Sequence, residues 1–139
     1  MNFFARFITL NFLPRLVDFA LLVFRIWIGA SMFWLHGMTK LKDFNDYVTK
    51  FTAMGFPNYV AAAAVIAEGV FTVLLVIGLA TRWAALFLAA TMTVAFYKAH
   101  GAALTGEKNG ELAFIYLAGF VLLFLAGPGR VSVDAKIAR

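Results

Sequence analysis

Arg25 and Glu68 stand near the middles of two long apolar stretches, residues 16–35 and 59–80. An ionised side chain at a bilayer centre costs about 3 kcal/mol on insertion scales, so such residues face inward and pair. One charge of each sign therefore predicts an intramembrane ion pair, Arg25–Glu68, and a polar interior in an integral membrane protein. Composition agrees: 63% of the 139 residues are hydrophobic and 14% are charged. A soluble domain needs far more polar surface than that.

About 20 apolar residues span the roughly 30 Å of bilayer hydrocarbon. Four segments meet or approach that length: 16–35, 59–80, 83–100 and 111–126. The expected fold is all-α, a transmembrane four-helix bundle forming a single membrane domain over residues 1–139. Residues 2–13 carry Asn2, Arg6 and Thr9 on one helical side of an aromatic and aliphatic segment, and Pro14 follows. This predicts an N-terminal interfacial helix. Asp18 and Arg25 in the next apolar run argue for a retained span rather than a signal sequence. Between the first two spans, apolar residues at 41, 44, 47/48 and 51 recur at helical spacing, and Gly55 and Pro57 follow. They predict a short amphipathic helix at the outer interface. Thr81-Arg82 predicts a tight hairpin between the second and third spans.

Four spans put both termini on one side. Arg6, Arg15, Arg82, Arg130 and Arg139 all fall on that side, whereas the loop side carries only lysine. Both termini are therefore expected in the cytoplasm. The net charge of +5 is spread between the spans. That distribution fits anionic lipid rather than nucleic acid. The absence of cysteine excludes disulfides, thiol catalysis and cysteine-ligated metal within the chain.

Helical spacing sharpens the polar pattern. Asp18, Arg25, Met32 and His36 are separated by 7, 7 and 4 residues and fall on one narrow stripe, with Gly29 beside it. Ala61, Ala64, Glu68 and Thr72, separated by 3, 4 and 4, make a stripe of mostly small residues on the second span. Small residues mark helix–helix contact in lipid, so the two stripes are expected to face each other. His36, Lys40, Tyr97, His100, Glu107 and Glu111 gather at the outer rim under this topology. They predict a polar funnel with Arg25–Glu68 as its floor. The competing reading makes the pair a structural device that fixes helix register. A metal site from His36, His100 and Glu107 or Glu111 is a further alternative, although no His-x-x-x-His spacing supports it. Trp27, Trp34 and Trp83 read as membrane anchors and packing residues.

At His36-Gly37-Met38-Thr39-Lys40-Leu41 the chain resembles the DoxX family of small four-span bacterial membrane proteins. The resemblance continues through Met54-Gly55-Phe56-Pro57, Glu68 and Gly78-Leu79-Ala80-Thr81-Arg82. It closes with Gly106-Glu107-Lys108-Asn109-Gly110-Glu111-Leu112, Gly127-Pro128-Gly129-Arg130 and Asp134, covering about residues 16–135. It implies the bacterial inner membrane and association with quinone-linked oxidoreductase assemblies. The expected function is a quinone- or quinol-associated accessory subunit, with no covalently bound cofactor. A non-enzymatic adaptor or assembly factor, and a small transporter or metal-handling protein, are the alternatives. An independent enzyme ranks last, because no nucleophile–base pair or cofactor motif is evident. Lipid contact and a homo-oligomeric or heteromeric membrane complex are the expected partnerships.

Overall fold

The structure, a computed structural model, describes Ile8 and residues 16–139. Among the described residues all regular structure is helical: α1 at Val17–Lys42, α2 at Phe44–Ala53, α3 at Asn58–Ile77, α4 at 81–99, α5 at Glu111–Ala126 and α6 at Val133–Ile137. The four long helices α1, α3, α4 and α5 alternate in direction and close into a bundle, each packed on the next. Helix α2 packs on α3 at the loop end, as the amphipathic pattern predicts. The interfacial helix expected over residues 2–13 lies outside the described residues, Ile8 excepted.

Many large apolar side chains face outward, and small residues share the interior with a few large ones. Trp27, Trp34, Leu35, Tyr59, Trp83 and Leu125 are exposed, whereas Ala84, Ala85 and Leu88 of α4 are fully buried against Phe120 and Leu123 of α5. An apolar outer belt is the surface that lipid solvates, and small interior residues let helix backbones approach. Gly29 brings α1 onto the Thr72 carbonyl and Val76 of α3, and Gly119 makes room on α5 for Ile28 and Phe24. Helices α1 and α3 are long and apolar enough to cross a bilayer. Helix α5 has 16 residues, about 24 Å of axis, and is the shortest of the four.

Two boundaries differ from expectation. Helix α3 stops at Ile77, and Gly78 (φ 75°) and Ala80 (φ 49°) make the hairpin turn in left-handed conformations. The turn therefore precedes Thr81-Arg82, which instead opens α4. Helix α1 runs on to Lys42 rather than ending at Leu35. The run His36–Lys42, expected to lie beyond the first span, continues α1, and within it Gly37 packs directly on the Glu68 backbone of α3.

Three of the long helices also widen into one π-helical turn, at Phe33–Gly37, Ala67–Phe71 and Ala95–Ala99. Such turns insert an extra residue per turn and redirect side chains, and they concentrate at functional sites. Helix α5 has none. All three lie in the loop-side half of the bundle, where they bring polar side chains together.

Candidate functional site

Arg25 and Glu68 are not partners. Gly37 of α1 is level with Glu68 and Gly69, whereas Arg25 is level with Gly78 at the far end of α3. Twelve residues separate Arg25 from Gly37, about 18 Å along a helix axis. Each charge is nonetheless almost completely enclosed, at 1% exposure for Arg25 and 2% for Glu68. Two different environments compensate them.

Arg25 organises the terminus side. Its Nη1 donates to the Pro128 carbonyl at 2.6 Å and its Nη2 to the Val131 carbonyl at 2.9 Å. Gly78 leaves the space for it, since a Cβ there would lie 2.7 Å from Arg25 Nη1. The same chain segment is tied down twice more. Asp18, one stripe position below Arg25, accepts from the Arg130 backbone N–H at 2.8 Å. Asp134 accepts from the backbone N–H groups of Ala80 (2.7 Å) and Thr81 (2.8 Å) at the start of α4. Its own N–H donates to the Gly78 carbonyl at 2.8 Å. A carboxylate at a helix N-terminus satisfies orphan donors and meets the positive end of the helix dipole. Burial pushes the Asp134 carboxyl up, but the Thr81 and Ala80 hydrogen bonds and the Arg25 charge outweigh it and hold it below its ordinary value. This constellation fastens the α3–α4 hairpin, the base of α1 and the C-terminal segment together.

Glu68 belongs to the loop side, where it forms a hydrogen-bonded ion pair with Lys40 Nζ. Lys40 comes from the last turns of α1, beyond the expected end of the first span at Leu35. Its ammonium also lies 5.8 Å from the Tyr47 ring centre and 5.6 Å from that of Phe51, both on α2. Cation–π contact of this kind couples the interfacial helix to the ion pair. The π turn of α3 aims Glu68 inward, and Thr72 caps the widened turn by donating to the Glu68 and Gly69 carbonyls.

The Lys40–Glu68 pair walls two cavities. One, of about 230 Å³, lies toward α1 and α5 and is lined by Met32, His36, His100, Asn109 and Tyr116 among others. The second, of about 160 Å³, lies beneath α2 and is lined chiefly by apolar residues including Phe51, Met54, Phe56, Ala61 and Ala64. Lys40, Glu68, Ala95 and His100 border both. Each volume is many times the ~15 Å³ that a single water requires. The His36 ring stands edge-on to Tyr116, with ring centres 6.0 Å apart, and Tyr116 Oη donates to Ser31 Oγ at 3.1 Å. The 101–110 loop forms the roof: His100 Nδ1 lies 3.2 Å from the Lys108 carbonyl, and Asn109 Oδ1 accepts from the Glu111 N–H at 2.9 Å. Gly110 permits this closeness, because a Cβ there would lie 2.8 Å from His100 Cβ.

The predicted funnel is thus partly assembled. His36, Lys40 and His100 meet at the cavities with Glu68. Tyr97 does not: it is 62% exposed on the outer face of α4, while its neighbour Phe96 turns into the core. Glu107 is exposed on the loop, and Glu111 borders a separate surface hollow with Asn109, Leu112 and Ile115. A His36–His100–Glu111 metal set is therefore not formed, and no group of three potential His, Asp or Glu metal ligands occurs among the described residues. Ala61 and Ala64 line the second cavity instead of packing on α1, whose closest contact with α3 runs through Gly29, Gly37 and Gly69. Asn109 and Tyr116 were not singled out by the sequence pattern. Asn109 sits in a loop of charged residues, and Tyr116 is one aromatic among many in α5.

The sequence pattern of the DoxX family matches residues 20–101, more than half of the chain. The chain belongs to the DoxX family. It is 33% identical to an uncharacterized protein of Haemophilus influenzae over 136 residues, 91% of this chain and 97% of that one. It is 32% identical to inner membrane protein YphA of Escherichia coli over 125 residues, 84% of this chain and 89% of that one. No solved structure matches it. The segments that carry the DoxX resemblance divide between the two ends of this membrane bundle. Gly78–Arg82, Gly127–Arg130 and Asp134 surround Arg25, whereas His36–Leu41, Glu68 and Gly106–Leu112 surround the cavities.

Proposed function

We propose that this DoxX-family protein lies in the bacterial inner membrane with both termini cytoplasmic and binds the head of a quinone or quinol beside Lys40–Glu68. In this reading it acts as an accessory subunit of a membrane oxidoreductase assembly. The observation that carries the reading is the setting of the Lys40–Glu68 pair, between a mostly apolar cavity and one bearing His36, His100 and Asn109. A quinone needs apolar walls for its ring and a few convergent donors for its carbonyl oxygens. The Lys40 ammonium, the two imidazoles and the Asn109 amide are donors of that kind. Oxidation of a bound quinol releases protons, which carboxylate and imidazole side chains accept. Glu68, His36 and His100 supply those groups, and the loop-side position of His100 gives the proton a route outward. Electron exchange is assigned to a partner subunit. The name of the Escherichia coli relative supports the inner membrane, and the one-sided distribution of arginine supports the orientation.

The test is titration of the purified protein with a ubiquinone analogue. Saturable binding is expected, weakened about tenfold or more by Lys40→Met, the equivalent of roughly 1.4 kcal/mol. Absence of saturable binding to the wild type contradicts the reading. The Arg25 constellation favours a second reading, a non-enzymatic adaptor whose C-terminal segment is held rigidly for a partner. That reading predicts an unaltered phenotype for Lys40→Met in cells.

A further inference from the structure

Small residues facing each other across a membrane bundle normally draw helices together. Ala61 and Ala64 of α3 and Ala95 and Ala99 of α4 instead border the cavity of about 160 Å³ beneath α2. Its floor and lid are apolar. Phe51 and Phe56 of the lid stand edge-on, ring centres 6.4 Å apart, and Met54 and Phe56, on either side of Gly55 (φ 90°), also line the cavity. The hydroxyl of Thr91, which also lines it, is already committed to the Phe87 carbonyl at 2.8 Å. Polar groups border this cavity chiefly where it meets its neighbour, at Lys40, Glu68 and His100, with Lys98 besides. Ala95 is the only apolar member of that shared border.

We infer that the two cavities are head and tail compartments of a single site, so that the ligand is a quinone carrying an apolar chain which passes Ala95 and lies beneath α2. This rests on the quinone reading above and adds a specificity that a bare ring would not satisfy. Away from the shared border the compartment beneath α2 is lined by apolar side chains, by Thr91, whose hydroxyl is already bonded, and by Lys98, which is exposed to solvent; the polar compartment meets the head.

The experiment compares tail-less ubiquinone with its ten-carbon-chain analogue on the purified protein and on Ala64→Phe, in one detergent. Preferential uptake of the chain by micelles affects both proteins equally, so the ratio of the two affinities is compared between proteins. Ala64 is one helical turn from Glu68, and a phenyl group there occupies the tail compartment. Ala64→Phe is expected to weaken the chain-bearing quinone about tenfold more than the tail-less one. An identical ratio in both proteins overturns the inference and leaves the quinone reading standing. Failure of the wild type to bind either compound overturns both. Should Ala64→Phe not fold, a quinone with a photoreactive chain end settles the matter on the wild type. Labelling of Phe51, Met54 or Phe56 is expected, and labelling confined to outward residues such as Trp27 and Leu125 overturns the inference.

Discussion

Asp134 gives the terminus-side constellation a pH signature. Its carboxyl is held below the ordinary 3.8 by hydrogen bonds from Thr81 and Ala80 and by Arg25. A group depressed in the folded state contributes stability that is present above its unfolded pKa, about 3.9, and is lost as pH falls through the folded value. Thermal unfolding in detergent is therefore expected to show wild type above Asp134→Asn at neutral pH. The gap should close as pH falls below about 4. A gap that persists unchanged to lower pH would contradict a charged clasp. At this scale the sequence was a partial guide. It showed that Arg25 and Glu68 need compensation, because burying an unpaired charge in an apolar span is costly. It did not show the compensating groups, because backbone carbonyls such as those of Pro128 and Val131 carry no side-chain signature. Lys40 is legible as a rim residue of the funnel, but its pairing with Glu68 is not, because the sequence pattern offers Arg25 as the partner.

The π-helical turns explain how α1 and α3 aim His36 and Glu68 inward while staying in close contact. That contact depends on Gly37, where a Cβ would lie 3.0 Å from the Glu68 carbonyl carbon. Gly69 is also crowded, but by the flexible Leu41 side chain rather than by backbone. Gly37→Ala is therefore expected to lower the unfolding midpoint clearly more than Gly69→Ala. Overpacking against rigid structure costs about 1–3 kcal/mol, whereas a Leu side chain can change rotamer. Equal midpoints for the two variants would contradict the contact. Hydrophobic length made the existence and order of the helices legible, and the pattern at 41, 44, 47/48 and 51 located α2. The π turns were not legible, because no residue type in Phe33–Gly37 or Ala67–Phe71 distinguishes a π turn from an α turn. The stripe Asp18–Arg25–Met32–His36 was correct as a stripe. Its lower half serves the C-terminal segment and its upper half the cavities.

The bundle as a whole has two ends with separate tasks, one closed by Arg25 and one opened around Lys40–Glu68. The orientation of those ends is open to direct test, because the chain contains no cysteine. Asp46→Cys on α2 and Lys136→Cys on α6 are both at exposed positions. In intact cells an impermeant thiol reagent is expected to label the first and spare the second; the opposite pattern would invert the proposed topology. The number of long helices followed from sequence, because each shows as a long run of apolar residues. Axial register did not, because one helix can slide past another without changing either one's periodicity, and that freedom separates Arg25 from Glu68.

Parallel quinone titration of Arg25→Met and Lys40→Met tests the division of labour between the two ends most directly. Arg25→Met removes two charged donors from the Pro128 and Val131 carbonyls and is expected to cost about 3 kcal/mol of stability. The fraction that remains folded should bind quinone as the wild type does. Lys40→Met leaves the buried Glu68 without its partner and should also lower the folded yield, but the fraction that folds should bind at least about tenfold more weakly. Quinone affinity lost on replacing Arg25 and retained on replacing Lys40 would place the ligand at the wrong end of the bundle and contradict the account.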